Sequence, residues 1–141
     1  MNTSERLRVL YVEDNSDSFE MLRVMLGLSQ IDLERAASLG EALRRAGSDR
    51  FDLYLLDSEL PDGSGTSLCR TLRTVDPSVP VLFYSGVAQA EEIKLAVAAG
   101  ADGYITKPYS DELAPTITQL VANRRENSLM PESLSPFAVA A

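Results

Sequence analysis

Several short apolar runs in this sequence stop abruptly on a polar residue. The run from Leu7 to Val12 ends in Glu13-Asp14-Asn15, that from Phe51 to Leu56 in Asp57, that from Val81 to Tyr84 in Ser85-Gly86, and a stretch around Tyr104 and Ile105 in Lys107-Pro108. If the fold gathers these ends on one rim, the carboxylates of Glu13, Asp14 and Asp57 would repel each other, with raised pKa values, unless a cation offset the charge. Carboxylates with water suit Mg²⁺, a hard ion that keeps several of its own waters. The hydroxyl of Ser85 and the ammonium of Lys107 add anion-binding groups, so the set fits a metal and a phosphoryl group together. Lys94 and Lys107 are the only lysines among 13 Lys and Arg residues, a bias that favours Lys107 as a compact point charge rather than an arbitrary cation.

Absences narrow the chemistry. The chain has no histidine and a single cysteine, Cys69. Zinc sites of Cys and His, Ser-His-Asp or Cys-His catalysis and a disulfide framework are therefore excluded. Cys69, in a helical apolar context, reads as a small core residue. A net charge of −8 and a pI near 4.5 argue against direct binding of nucleic acid or an anionic membrane. No apolar run approaches the roughly 20 residues needed to span a bilayer. Met1 to Arg6 lacks the apolar region of a signal peptide, so the expected location is cytoplasmic. At 141 residues the chain fits one globular domain able to bury roughly two thirds of its unfolded surface.

The elements that must carry these residues follow from periodicity. The apolar runs at 7–12, 51–56 and 81–84 suit strands buried on both faces. Ile31 and Leu33 alternate with Asp32 and Glu34, as in a half-exposed edge strand, and a fifth strand covers Tyr104 and Ile105. Helical spacing relates Phe19, Leu22 and Met25 or Leu26 behind the caps Asn15, Ser16 and Asp17, and relates Leu39, Leu43 and Ala46 behind the capping-box pair Ser38 and Glu41. Further helices are expected through Leu68, Leu72 and Val75, through Ile93 and Val97 up to Gly100, and through Leu113, Ile117, Leu120 and Val121. Pro115 conflicts with the last unless that helix starts late or kinks. Residues 126–141, with Pro131 and Pro136, read as a disordered C-terminal tail behind a domain at 1–125. Strands alternating with helices at short connections give a parallel sheet covered on both faces, with its ligand crevice at the carboxyl ends of the strands.

These residues in this order resemble the receiver domain of two-component response regulators. The likeness rests on Val12-Glu13-Asp14-Asn15, on Leu55-Leu56-Asp57 followed by Leu60-Pro61-Asp62-Gly63-Ser64-Gly65, on Phe83-Tyr84-Ser85-Gly86, and on the run from Gly100 to Pro108; it covers roughly residues 7 to 123. The resemblance implies a flavodoxin-like (βα)5 fold with a doubly wound five-stranded parallel sheet in the order 2-1-3-4-5. It implies that Asp57 accepts a phosphoryl group from a phosphohistidine on a histidine kinase or histidine phosphotransfer protein. By the same analogy Glu13, Asp14, Asp57 and the backbone carbonyl of Glu59 would arrange Mg²⁺. Ser85, Lys107 and backbone N–H groups near Glu59 and Gly86 would bind phosphoryl oxygens. Ser85 and Tyr104 would form the switch, with Tyr104 moving into space near the fourth strand.

Departures and rival readings accompany the resemblance. Ser85 stands where Thr is more frequent, Leu60 where Met is common, and Glu59 and Val87 flank the expected path of hydrolytic water, which leaves the phosphoryl lifetime open. A phosphorylation-independent interaction module on the same fold is the main alternative. A receiver excised from a longer protein and a small Mg²⁺-dependent phosphatase using Glu59 as acid/base are others. The tail is too short for an effector domain, so output is expected through another, unidentified protein. The expected state is a monomer able to form a homodimer on activation.

Overall fold

The computed structural model describes residues 5–127 and 138–140, with side chains for 5–126. Its principal strands are β1 (Leu7–Val12), β2 (Ile31–Ala36), β3 (Leu53–Leu56), β4 (Val81–Ser85), β5 (Gly103–Thr106) and β6 (Ala138–Ala140). The helices are α1 (Ser16–Gly27), α2 (Leu39–Ser48), α3 (Gly65–Val75), α4 (Ala90–Ala99) and α5 (Leu113–Asn127). A two-residue hairpin, Glu59–Leu60 against Gly63–Ser64, separates β3 from α3.

The six strands form one parallel sheet in the order β2-β1-β3-β4-β5-β6. Its first five strands have the expected order, with β2 at one edge. The sixth, outside β5, falls in the segment read as a disordered tail. Residues 128–137 and 141 of that segment lie outside the described residues.

Apolar alternation divides the core between the two faces. Val9, Tyr11, Leu53, Leu55, Leu82 and Ile105 point toward α1 and α5, whose Phe19, Leu22, Leu26, Leu113, Ile117 and Leu120 complete that layer. Leu10, Val12, Leu56, Val81 and Phe83 face the opposite way, against α2, α3 and α4. Each fully buried leucine contributes roughly 1.5–3 kcal/mol relative to exposure. Cys69 is buried in the second layer, its thiol pushed up to about 11 by burial, in keeping with a core role.

The helix ends follow their local chemistry. The Asn15 side chain accepts the Ser18 N–H at 2.9 Å to start α1, and Ser38 Oγ accepts the Glu41 N–H at 3.1 Å to start α2. The Glu41 carboxylate returns to the Ala37 N–H at 2.9 Å, one residue before the expected partner. Gly100, at φ +106, closes α4 in the left-handed region where a Cβ is strained. Pro115 is accommodated because Ser110–Glu112 form a short 3-10 turn and α5 begins at Leu113, which leaves the proline in the first turn, where no helix N–H is needed. Two of the positions expected on apolar helix faces turn outward: Val75 and Val97 are exposed, and Ala96 and Ala99 make the buried face of α4.

Candidate functional site

Every parallel strand runs toward the same rim, so the residues just beyond β1, β3, β4 and β5 meet there. Asp14, Asp57, Glu59, Ser85, Gly86, Val87 and Lys107 line one open cleft of about 470 Å³, together with Leu60 and Pro61. The chain thus brings seven expected residues, 94 positions apart at the extremes of Glu13 and Lys107, to a common rim. Glu13 stands behind the cleft rather than in its lining.

Lys107 is the centre of the charge arrangement. Its Nζ donates to Glu13 Oε1 at 3.0 Å and to Asp57 Oδ2 at 3.3 Å, and lies 5.6 Å from the Tyr84 ring centroid. Glu13 is only 3% exposed, so its charge needs partners. It has them: Oε1 also accepts the Tyr11 hydroxyl at 3.0 Å, and Oε2 accepts the Asn15 N–H at 3.0 Å. Burial pushes the Glu13 carboxyl up, yet the hydrogen bonds from Lys107, the Asn15 N–H and Tyr11 outweigh it and hold the group below the usual carboxylate range. Burial dominates at Asp57, where Lys107 opposes it and the Glu13 charge adds to it; this carboxyl lies above its ordinary value. For Lys107, burial alone would lower the pKa, but its two carboxylate partners raise it. One permanent cation therefore serves two carboxylates, of which Glu13 is the better satisfied.

Asp57 leaves β3 with its N–H donated to the Val12 carbonyl at 3.3 Å, and its Oδ1 accepts the Ser58 N–H at 2.7 Å. Gly65 fixes the loop that follows. Its N–H donates to the Ser58 carbonyl at 2.8 Å, and a Cβ added there would come within 2.1 Å of the Asp57 carbonyl oxygen. Only glycine allows α3 to begin this close to the acceptor strand. Asp62, in the same turn, accepts the Leu39 and Gly40 N–H groups at 2.8 and 3.1 Å and so ties the hairpin to the start of α2.

Ser85 is buried at the end of β4, and its Oγ accepts the Val87 N–H at 3.2 Å. The hydroxyl proton remains available toward the cleft. Tyr104 is also buried, with its ring stacked on Phe83 at a centroid distance of 5.6 Å and an interplanar angle of 6°. Its hydroxyl donates to the Val87 carbonyl at 2.6 Å and lies 3.2 Å from Ser58 Oγ. In this position the ring already lies against β4, through its stacking on Phe83. Ser58 supplies a polar partner that makes this inward seat satisfiable.

Among the described residues, no three Asp, Glu or Cys side chains converge as a ready metal cluster. The donor set nonetheless fits a hard cation that keeps most of its waters: Asp14 and Asp57 border the cleft with the hairpin at Glu59, and Asp57 shares its one lysine with Glu13. Glu13 stands beside this set, its carboxylate accepting from Lys107, Tyr11 and the Asn15 N–H.

Sequence reasoning missed four residues that shape this site. No site role is assigned there to Tyr11, Arg35 or Ser58, and Gly65 enters only as part of the turn that follows Asp57. In the fold, Arg35 Nη1 donates to the Glu13 carbonyl at 2.9 Å and braces the acidic loop. Only Gly65, in a dense Gly-Ser-Gly turn beside Asp57, could have been suspected from its position.

Comparison with known proteins agrees with this geometry. The family model described as response regulator receiver domain matches residues 9–118. The transcriptional regulatory protein PrrA of Mycobacterium tuberculosis is 36% identical over 118 residues, which cover 83% of this chain and 51% of PrrA. The chain therefore spans about half the length of such curated relatives. A CheY-like response regulator receiver domain protein from Methanospirillum hungatei JF-1 superposes with a TM-score of 0.81 at 28% identity, over 86% of this chain and 98% of that one. The beryllofluoride-activated NtrC4 receiver domain, solved as a dimer, gives a TM-score of 0.78 at 25% identity over 83% and 98% of the two chains.

Proposed function

The chain belongs to the response regulator receiver domain family, and from that premise we propose that it is a phosphorylation-dependent signalling receiver with Asp57 as the phosphoryl acceptor. The observation that carries this reading is Lys107 Nζ held 3.3 Å from Asp57 Oδ2 at the mouth of the cleft, where it is ready to meet an incoming anion. An oxygen of Asp57 forms a bond to phosphorus while the P–N bond to the donor imidazole breaks, and the electron pair leaves with that imidazole. Catalysis of this kind is mainly positioning and charge neutralisation. Lys107 turns toward the new phosphoryl oxygens, Glu13 keeps the lysine in place, and Ser85 offers its hydroxyl proton. A Mg²⁺ arranged by Glu13, Asp14, Asp57 and the Glu59 carbonyl would supply further charge neutralisation. Attack of water on phosphorus then releases inorganic phosphate and restores the carboxylate.

The donor in this reading is a histidine kinase or histidine phosphotransfer protein, since the chain has no histidine to serve as its own donor. The receiver unit is placed at residues 1–125 and in the cytoplasm, a location with which the absence of any membrane-length apolar helix among the described residues is compatible. A homodimer on activation follows the NtrC4 precedent. The test is beryllofluoride with Mg²⁺, observed by amide NMR. Signals of Ser85, Gly86, Val87 and Tyr104 should move when both are added and stay still with either alone. A spectrum indifferent to the pair would favour the interaction module that works without phosphorylation.

A further inference from the structure

The outer edge of β5 carries main-chain groups that β4 cannot satisfy. Lys107 N–H donates to the Ser85 carbonyl at 2.8 Å, which directs the main-chain groups of residues 103, 105 and 107 toward β4. Alternation along a strand then points the N–H and C=O of Tyr104 the other way. An edge of this kind is a template for a further strand. Ala138–Ala140 lies on it in parallel register, with Ala138 opposite Gly103, Val139 opposite Tyr104 and Ala140 opposite Ile105. By the geometry of a parallel ladder, the Tyr104 N–H faces the Ala138 carbonyl and the Tyr104 carbonyl faces the Ala140 N–H. Tyr104 therefore offers its main chain to the added strand and its hydroxyl to the Val87 carbonyl, in the loop beside Ser85.

We propose that the outer edge of β5 is a docking site for an extended chain segment, filled in this protein by its own residues 138–140, and that its occupancy is linked through Tyr104 to the state of Asp57. Strand addition draws its strength from main-chain hydrogen bonds and its selectivity from side-chain size, and Ala-Val-Ala is a short, uncharged, proline-free occupant. A partner using this edge must displace that segment. The linkage is reciprocal: a change at Asp57 that shifts Tyr104 alters how well the segment docks, and docking alters the ease of that change. This second half rests on the receiver reading, whereas the docking itself does not.

Amide hydrogen exchange of the full chain by NMR tests both halves, with Ala140→Pro removing the N–H that faces Tyr104 and Ala140→Ser retaining it. The Tyr104 amide should exchange at least about tenfold faster in Ala140→Pro than in the parent or Ala140→Ser. Beryllofluoride with Mg²⁺ should change Tyr104 protection in the parent and leave it unchanged in Ala140→Pro. Equal exchange in the parent and Ala140→Pro would overturn the docking. Protection that rises with protein concentration would assign the strand to a second copy and overturn occupancy within one chain. Beryllofluoride that binds at Asp57 without changing Tyr104 exchange would overturn the linkage alone; beryllofluoride that fails to bind would remove the linkage together with the receiver reading, and the docking result would stand by itself.

Discussion

Asp57 combines burial with a neighbouring carboxylate, and both raise its pKa against the pull of Lys107. An acid whose folded pKa exceeds its unfolded value of about 3.8 favours the folded state below that value, and this contribution is lost as pH rises through the folded pKa. Asp57→Asn should therefore be more stable than the parent at neutral pH in metal-free buffer, with the advantage shrinking toward acid. Urea midpoints at neutral and acid pH measure this, and a variant less stable at neutral pH would contradict it. Tyr104 gives a second residue-level test. Tyr104→Phe leaves the half-buried Val87 carbonyl without its donor and should cost about 1–3 kcal/mol, whereas Ser58→Ala removes a weaker contact and should cost about 0.5–1.5 kcal/mol, both read from urea unfolding. Asp57, Lys107 and Ser85 were legible because each ends an apolar run, which fixes where its side chain goes. Ser58 and Arg35 were not, because their roles depend on neighbours from other elements.

Strands buried on both faces announce themselves as apolar runs, and the alternation at Ile31–Leu33 marked β2 as an edge. The buried side of α4 was harder to read. Val97 is the larger side chain, but the close packing of α4 against α3 suits Ala96 and Ala99, so small size rather than hydrophobicity decided that face. Strand β6 escaped detection because a three-residue strand has no period to detect, and its partner edge exists only after folding. The approach of α3 to β3 makes a sharp prediction at this scale. In Gly65→Ala the new methyl would collide with the Asp57 carbonyl, so α3 must back away; the expected loss is about 1–3 kcal/mol in urea unfolding, with slower phosphorylation of Asp57. A variant with parent-like stability and rate would show that the acceptor loop yields without cost.

Across the whole molecule, an acidic chain of net charge −8 stays folded by giving selected carboxylates good partners. Glu34 is the clearest case away from the cleft: Arg8 donates to it at 2.5 and 3.1 Å and Arg45 adds a further close contact, so β1 and β2 are pinned to α2. The Arg8 hydrogen bond, opposed by burial and supported by Arg45, holds the Glu34 carboxyl below its ordinary 4.5. An acid depressed in the folded state stabilises above its unfolded pKa, and that contribution is lost as pH falls through the folded value. Stability of the parent should fall on acidification, and Glu34→Gln should flatten this decline while costing about 1 kcal/mol at neutral pH; identical acid profiles would contradict the assignment. The central claim concerns Asp57, and the intact mass of the whole chain after incubation with acetyl phosphate tests it most directly. With Mg²⁺ the parent should gain one phosphoryl group, and neither the metal-free sample nor Asp57→Asn should gain any. An adduct of the same size on Asp57→Asn, or none on a parent chain that also fails to bind beryllofluoride, would contradict the receiver account.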